Sequence, residues 1–179
     1  NETATLYASS ITLGVGQFCT NPGLIIGIDG PDLKKFIHAL GDEIVTTAPG
    51  TMLQMGIFKN YVERRGNALS QEGVDTVAVS EKDPHLNEAA PTLASTRGQA
   101  FLNNHVLHLE VFGPYSLIVR CHDEKEMLEV TKHLEGQLTA TVMANENDLE
   151  QMGELIDEIN GICGRLILNG VPTGVEVCL

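Results

Sequence analysis

The stretch Gly16-Gln17-Phe18-Cys19-Thr20-Asn21-Pro22-Gly23 joins two segments with different hydrophobic patterns. Residues 2–14, before it, place apolar side chains at helical spacing, which predicts an amphipathic helix. Residues 24–28, after it, read Leu-Ile-Ile-Gly-Ile and are apolar on both faces, as is typical of a strand in a covered parallel sheet. The stretch is therefore predicted to be a helix-to-strand junction that carries one cysteine.

The remainder of the chain alternates between strand and helix patterns. Further strands are predicted at 76–79, 117–120, 138–143 and 165–168, and the segment 105–112 alternates as a strand does. Further helices are predicted at 31–44, 51–68, 88–90, 92–103, 123–134 and 147–160. This order is typical of an α/β fold, here a doubly wound, mostly parallel sheet with helices on both faces. Without internal repeats or low-complexity linkers, residues 1–179 are predicted to form a single domain.

Charge and composition exclude several classes of partner. The 179 residues carry a formal net charge of −13 with only 11 Lys and Arg, whereas nucleic acids and anionic membranes are bound by clustered basic side chains. No apolar run approaches the ~20 residues that span a bilayer. We therefore expect no nucleic acid and no membrane as partner. Because the chain opens on Asn1 and stops at Leu179 directly after an apolar run, both ends are expected to be cuts within a longer protein.

The four cysteines contain no C-x-x-C pair, which argues against a zinc site or a redox couple. With no visible signal peptide, free thiols in a reducing, cytoplasmic compartment are expected. Cys121, Cys163 and Cys178 are interpreted as structural. Cys19 differs because its loop offers unpaired backbone N–H groups, which favour a thiolate and can hold a developing oxyanion. A nucleophile is thus predicted at Cys19, and a buried structural cysteine is the alternative.

Metal and dinucleotide sites are not predicted from the residues themselves. His105 and His108 form an H-x-x-H pair, but on a strand their side chains would point to opposite faces. His108, Glu110 and Phe112 would share one face by the same period of two. A dinucleotide fingerprint needs three spaced glycines between a strand and a helix. Gly14-Val15-Gly16 instead follows a helix and lacks the third glycine, so this domain is not expected to hold a dinucleotide by itself.

Three motifs, taken together, resemble those of the aldehyde dehydrogenases. Gly16-Gln17-Phe18-Cys19 resembles the G-Q-x-C motif around that family's nucleophile, and Glu110-Val111-Phe112-Gly113-Pro114 matches its E-x-F-G-P motif. Residues 164–170, Gly-Arg-Leu-Ile-Leu-Asn-Gly, resemble the G-x-x-x-x-N-G strand near the end of the family's catalytic domain. The sequence Phe-Cys-Thr-Asn-Pro-Gly at residues 18–23 further resembles that of the branch that acts on α-ketoglutaric semialdehyde and fatty aldehydes. Members of this branch are often NADP-linked.

The resemblance implies a catalytic-domain-like fold and a role for each motif. Cys19 would be the nucleophile that adds to an aldehyde, passes through a thiohemiacetal and a thioester, and releases a carboxylate. Glu110 would bind the nicotinamide ribose hydroxyls of NADP or NAD, and Phe112 would pack beside the ring. The substrate would be a small-molecule aldehyde such as 2,5-dioxopentanoate or a fatty aldehyde. A homo-oligomer is implied for the full-length protein.

Some parts of the family pattern fall outside this sequence. The family's glutamate base lies in an E-L-G motif upstream of the cysteine, and Glu2 does not fit it. The oxyanion asparagine and the cofactor domain also lie upstream, and the oligomerisation tail lies beyond Leu179. The resemblance therefore implies that this chain by itself has no dehydrogenase activity. Two other classes stay open: a thiol acyltransferase or hydrolase using His38, His108 or His122, and a non-catalytic interaction module in which Cys19 is buried.

Overall fold

The computed structural model describes residues 2–172, so the prediction for Cys178 lies outside the described residues. The helices are α1 Glu2–Thr12, α2 Pro31–Thr46, α3 Met55–Leu69, α4 Gly98–Asn103, α5 Glu124–Lys132, α6 Glu146–Gln151 and α7 Gly153–Ile162. The strands are β1 Leu24–Ile28, β2 Gly50–Thr51, β3 Val74–Val79, β4 Glu88–Ala89, β5 Thr92–Arg97, β6 Tyr115–Cys121, β7 Gln137–Val142 and β8 Cys163–Leu168. No helix within residues 2–172 combines the length and the hydrophobicity needed to cross a bilayer.

The main sheet has four strands in the order β1-β6-β5-β3. Strands β1, β6 and β5 run parallel, and β3 joins the edge antiparallel to β5. Consecutive residues of β6 face opposite sides: Leu117 and Val119 pack with α3, α4 and α5, and Ile118 packs with α1 and α2. The predicted α/β class, a mostly parallel sheet covered by helices on both faces, is confirmed.

A second, two-stranded parallel sheet is formed by β7 and β8, with α6 and α7 as the connection. In addition, β2 and β4 form a separate antiparallel pair, so these four strands lie outside the main sheet. Asn169, in the N-G motif, ties the end of β8 to β7: its side chain accepts a hydrogen bond from Ala144 N and donates one to Ala144 O, both at 3.0 Å. Lys132 on α5 reaches Glu154 on α7 at 3.3 Å and connects this pair to the main sheet's helices.

The helix predicted at 92–103 is wrong over its first half, because Thr92–Arg97 is the strand β5. Residues 92–96 are all buried, since β5 lies between β6 and β3 with helices on both faces. The small side chains of Ala94 and Ser95 fit this doubly covered position, and burial overrides the helix propensity of alanine. The helix predicted at 88–90 is likewise the short strand β4.

Two further helix boundaries differ from the prediction. The helix predicted from residue 51 begins at Met55, because Met52 is buried and exchanges hydrogen bonds with Asn87: Met52 N donates to Asn87 O at 2.9 Å, and Asn87 Nδ2 donates to Met52 O at 2.8 Å. This keeps Met52 extended beside β4. The helix predicted at 147–160 is divided at Met152, whose φ of −101° and ψ of 31° are not helical.

Two glycines pack against each other where the chain enters β1 and β6. Gly16 has a φ of +64°, and a Cβ added to it would lie 2.3 Å from the carbonyl of Gly113. Gly113 has a φ of +146°, and a Cβ added there would lie 2.4 Å from the Tyr61 ring. Positive φ and the lack of free space therefore both require glycine at these positions.

We expect Gly16→Ala to destabilise the fold by about 2 kcal/mol or more, because backbone strain adds to a clash that rigid backbone cannot relieve. Gly23→Ala is the matched control in the same loop, since its added Cβ would meet nothing within 4 Å. Urea unfolding of both variants measures the difference. Equal stability of the two variants would contradict the close packing of Gly16 on Gly113.

An ionic cluster lies at the opposite, carboxyl end of β6. His122 Nδ1 is 2.7 Å from Glu126 and its Nε2 is 3.0 Å from Asp123. Asp123 also caps α5 by accepting from Glu126 N at 2.9 Å, which confirms the predicted helix start. The hydrogen bond to Glu126 raises the pKa of His122, and the N–H of Glu126 lowers the pKa of Asp123.

The contribution of His122 to stability should depend on pH. A raised pKa in the folded state means that the stabilisation is present below the unfolded pKa and is lost as pH rises through the folded pKa. His122→Gln should therefore lower Tm more at about pH 6 than at about pH 9, given an ordinary histidine pKa of about 6.5. Thermal unfolding monitored by circular dichroism measures this. In a Glu126→Gln background the pH-dependent part should shrink, and an unchanged dependence would refute the cluster as its source.

Candidate active site

The two motif segments enter neighbouring parallel strands. The Cys19 loop, residues 17–23, leads into β1, and the Glu110–Pro114 loop leads into β6. Leu24 at the start of β1 is paired in register with Leu117. Cys19 and Phe112 each lie five residues before their member of that pair. Because parallel strands begin at the same edge of a sheet, the structure brings both loops to one edge.

Three hydrogen bonds join the segment after Cys19 to Gly113 and to the first residues of β6. Asn21 Nδ2 donates to Gly113 O at 3.1 Å, and Leu117 N donates to Gly23 O at 2.9 Å. The hydroxyl of Ser116 donates to Pro22 O. The contact between the two motifs themselves is the packing of Gly16 on Gly113, and it joins segments whose Cys19 and Glu110 are ninety-one positions apart.

Cys19 lies in a tight turn. Asn21 N donates to Phe18 O at 3.1 Å, which places Cys19 and Thr20 at the two central positions of a β-turn. Cys19 is exposed, whereas Cys121 is buried and Cys163 is half-buried. Burial, together with Glu126 and Asp123, raises the pKa of Cys121 to about 12. Within residues 2–172, no acceptor bonds the backbone N–H of Cys19 or of Thr20.

Gln17 holds the turn from the other side. Its Nε2 donates to Gly14 O at 3.0 Å, and its Oε1 accepts from Leu53 N at 2.9 Å. The loop that follows β2 is thereby fixed against the Cys19 turn. Gly14, Val15 and Gly16, which follow the end of α1, all have positive φ.

Glu110 and Phe112 lie on an irregular segment, so the strand predicted at 105–112 is wrong. Residues His105–His108 form a 3₁₀ turn, capped by Asn104, whose side chain accepts from Val106 N at 3.0 Å. Because there is no strand here, the prediction that His108, Glu110 and Phe112 share one strand face is also wrong. Glu110 is exposed and Phe112 is half-buried, beside the Gly113 that contacts the Cys19 loop.

The three histidines considered as partners of Cys19 contact other groups instead. His108 stacks on Phe101 at 4.1 Å between ring centres and hydrogen-bonds its carbonyl at 2.8 Å. His38 pairs with Asp42 at 3.0 Å, and His122 lies at the far end of β6. The rings of His105 and His108 are 5.4 Å apart, yet the described part of the chain contains no group of three or more potential ligands placed to hold a metal ion.

Tyr61 on α3 supports the site, and sequence reasoning did not find it. Its hydroxyl donates to Ala90 O at 2.7 Å and lies 3.4 Å from Pro114 O, which links the entries of β5 and β6. Burial raises its pKa. Arg65 lies 5.4 Å from the ring centre and bonds Thr92 Oγ1 at 3.2 Å. A tyrosine within a largely polar helix was the only available signal.

The chain is similar to curated dehydrogenases over nearly its whole length. Alpha-ketoglutaric semialdehyde dehydrogenase 2 of Azospirillum brasilense is 43% identical over 175 residues, which are 98% of this chain and 33% of that protein. Alpha-ketoglutaric semialdehyde dehydrogenase of Acinetobacter baylyi is 40% identical over 94% of this chain and 32% of that protein. The chain thus spans about a third of the length of these relatives. No protein-family model matches it.

Solved structures share the fold at low sequence identity. Succinic semialdehyde dehydrogenase from Streptococcus pyogenes, in complex with NADP⁺, has a TM-score of 0.79 and 20% identity, covering 97% of this chain and 39% of that one. Proline utilization A from Bdellovibrio bacteriovorus has a TM-score of 0.80 and 17% identity, covering 98% and 18%. Over nearly all of its length, the chain is thus similar to about one third of each of these two semialdehyde dehydrogenases.

Proposed function

We propose that this chain is the thiol-bearing catalytic segment of an NAD(P)-dependent aldehyde dehydrogenase, with Cys19 as the nucleophile. The observation that carries the proposal is the direct contact between the Cys19 loop and the Glu110–Pro114 loop at one sheet edge. Two segments with different chemistry, a thiol and a carboxylate with an aromatic ring, are held there by backbone packing. Residues 1–179 act as one domain in this proposal.

The chemistry at Cys19 follows from its exposure and its turn. The thiolate would add to the carbonyl carbon of an aldehyde, and the carbonyl oxygen would take the negative charge as a thiohemiacetal oxyanion. The free N–H of Cys19 can donate to that oxygen, because a turn holds it without an internal acceptor. Hydrolysis of the later thioester requires a base, for which we assign no residue of this chain.

Glu110 and Phe112 fit a nicotinamide nucleotide by their chemistry. An exposed carboxylate accepts hydrogen bonds from paired ribose hydroxyls, and a half-buried phenyl ring offers a flat apolar contact. When bound, NADP or NAD would supply the hydride acceptor. Glu110 would hold the ribose, Phe112 would limit the ring's position, and the packing of Gly113 on Gly16 would keep both near the thiol.

The proposed substrate is 2,5-dioxopentanoate, and a fatty aldehyde is the second candidate. Two relatives named α-ketoglutaric semialdehyde dehydrogenases, at 43% and 40% identity, support the first. We also propose a cytoplasmic location, in keeping with free cysteines, and a homo-oligomer for the whole protein. Leu53 and Leu86, each 83% exposed, are apolar side chains that further protein would cover.

Cys19 should be the most reactive thiol of the folded chain. We expect iodoacetamide to alkylate Cys19 well before Cys121, because Cys19 is exposed and Cys121 is buried with a pKa raised to about 12. Peptide mass spectrometry after timed quenching gives both rates in one sample. Alkylation of Cys19 no faster than that of Cys121 would favour the interaction-module alternative.

Aldehydes should protect Cys19 from this alkylation. Hexanal or 2,5-dioxopentanoate would convert the thiol reversibly to a thiohemiacetal and slow its labelling, whereas hexanol would not. Cys163 in the same sample serves as the internal control. Since about two thirds of the relatives' length is not spanned, we expect the chain by itself to form no NAD(P)H with an aldehyde. NAD(P)H formation would contradict that expectation, and equal labelling with and without aldehyde would contradict the proposed nucleophile.

A further inference from the structure

Two amide side chains flank Cys19, each two positions away, and each bonds to a different segment. Gln17 accepts from Leu53 N, and Asn21 donates to Gly113 O. Gln17 belongs to the G-Q-x-C motif, which stops at Cys19 and does not include Asn21. Asn21 therefore makes the contact between the two site loops without a role in either motif.

We propose that Asn21 is a positioning residue: its side chain fixes the Cys19 turn on the carbonyl of Gly113 and so sets the thiol relative to the Glu110–Pro114 loop. This inference rests on the proposed function and deepens it. It names the group that determines how the nucleophile and the nucleotide-binding loop are aligned.

The orientation of the Asn21 amide is determined by its partner. The carbonyl of Gly113 can only accept, so Nδ2 has to face it, and the reverse orientation would bring two oxygens together. As a result Asn21 Oδ1 is buried without any donor among residues 2–172. A buried acceptor without a donor is destabilising. A side chain that only filled this space would be better apolar, so the directional bond to Gly113 explains an asparagine here.

Asn21 also belongs to the backbone network of both loops. Its N–H closes the turn on Phe18 O at 3.1 Å, and its carbonyl accepts from Gly23 N at 2.8 Å. Gly113 O accepts from Tyr115 N at 2.8 Å in addition to the Asn21 side chain. Removal of the side chain should therefore loosen the turn and the entry of β6, while the pairing of β1 with β6 beyond Leu117 persists.

Amide hydrogen exchange, resolved by residue, tests this inference in the present chain. In Asn21→Ala we expect the amides of Gly23 and Tyr115 to exchange about fivefold faster, which is the change in local opening for the loss of one average hydrogen bond. The amides of Ile118 and Val119, inside β6, should exchange as in the wild type. Asn60→Ala is the matched control, because Asn60 is exposed on α3.

Asn21→Leu distinguishes the effect of the hydrogen bond to Gly113 O from the effect of side-chain volume. It keeps the size of the side chain and removes the donor, so we expect a Tm equal to or above that of the wild type together with the same faster exchange at Gly23 and Tyr115. Exchange indistinguishable from the wild type in Asn21→Leu would overturn the inference, because the side chain would then only fill space. Uniform acceleration that includes Val119 would also overturn it, since that reports global stability.

The aldehyde protection of Cys19, measured on the same variants, distinguishes this inference from the proposed function. If protection is seen in the wild type, both Asn21 variants should reduce it while Asn60→Ala retains it, and full protection in both variants would overturn the inference. If aldehydes do not protect wild-type Cys19, the proposed function fails. The local exchange at Gly23 and Tyr115 then still decides whether Asn21 fixes the turn.

Discussion

The parallel pairing of β1 with β6 is the interaction on which the site depends. These two strands are hydrogen-bonded to each other although they are far apart in the sequence. Their register pairs Leu24 with Leu117, so Cys19 and Phe112 each lie five residues before a paired residue. A shift of one residue would turn every side chain of β1 to the other face and separate Leu24 and Ile26 from one helical layer and Ile25 from the other. The alignment of the loops therefore follows from the packing of the core.

Close packing at the sheet edge converts this alignment into contact. Gly16 and Gly113 approach so closely that neither leaves room for a side chain, and the Tyr61 ring covers Gly113 on its other side. Backbone groups therefore form most of the connection between the loops, with Asn21 and Ser116 adding hydrogen bonds. Beside this contact Cys19 and Glu110 remain exposed, and Phe112 is half-buried.

The sequence predicted the fold class and the order of most elements, since β1 and β6 are strongly apolar and the helix predicted from residue 123 starts at the cap Asp123. It did not predict β5, because the residues around Leu93 and Ala94 do not follow a strand pattern. Their strand conformation depends on burial by the neighbouring strands and helices. The motifs named Cys19, Glu110 and Phe112 as partners, and the structure brings their loops together. The contacts of Asn21 and Tyr61 could not be predicted, because they depend on distances between segments that no local pattern encodes.

The position of β6 in the middle of the sheet also has a consequence for how the chain folds. β6 is inserted between β1 and β5, which do not pair with each other, so it completes two ladders at once. Contacts between residues so distant in the sequence form slowly, because a long loop has to close first. During synthesis, the Cys19 thiol therefore emerges well before Tyr115 and Gly113 are available to hold its turn. Until then the thiol is exposed on a partly folded chain, where it can be oxidised and where chaperones can bind.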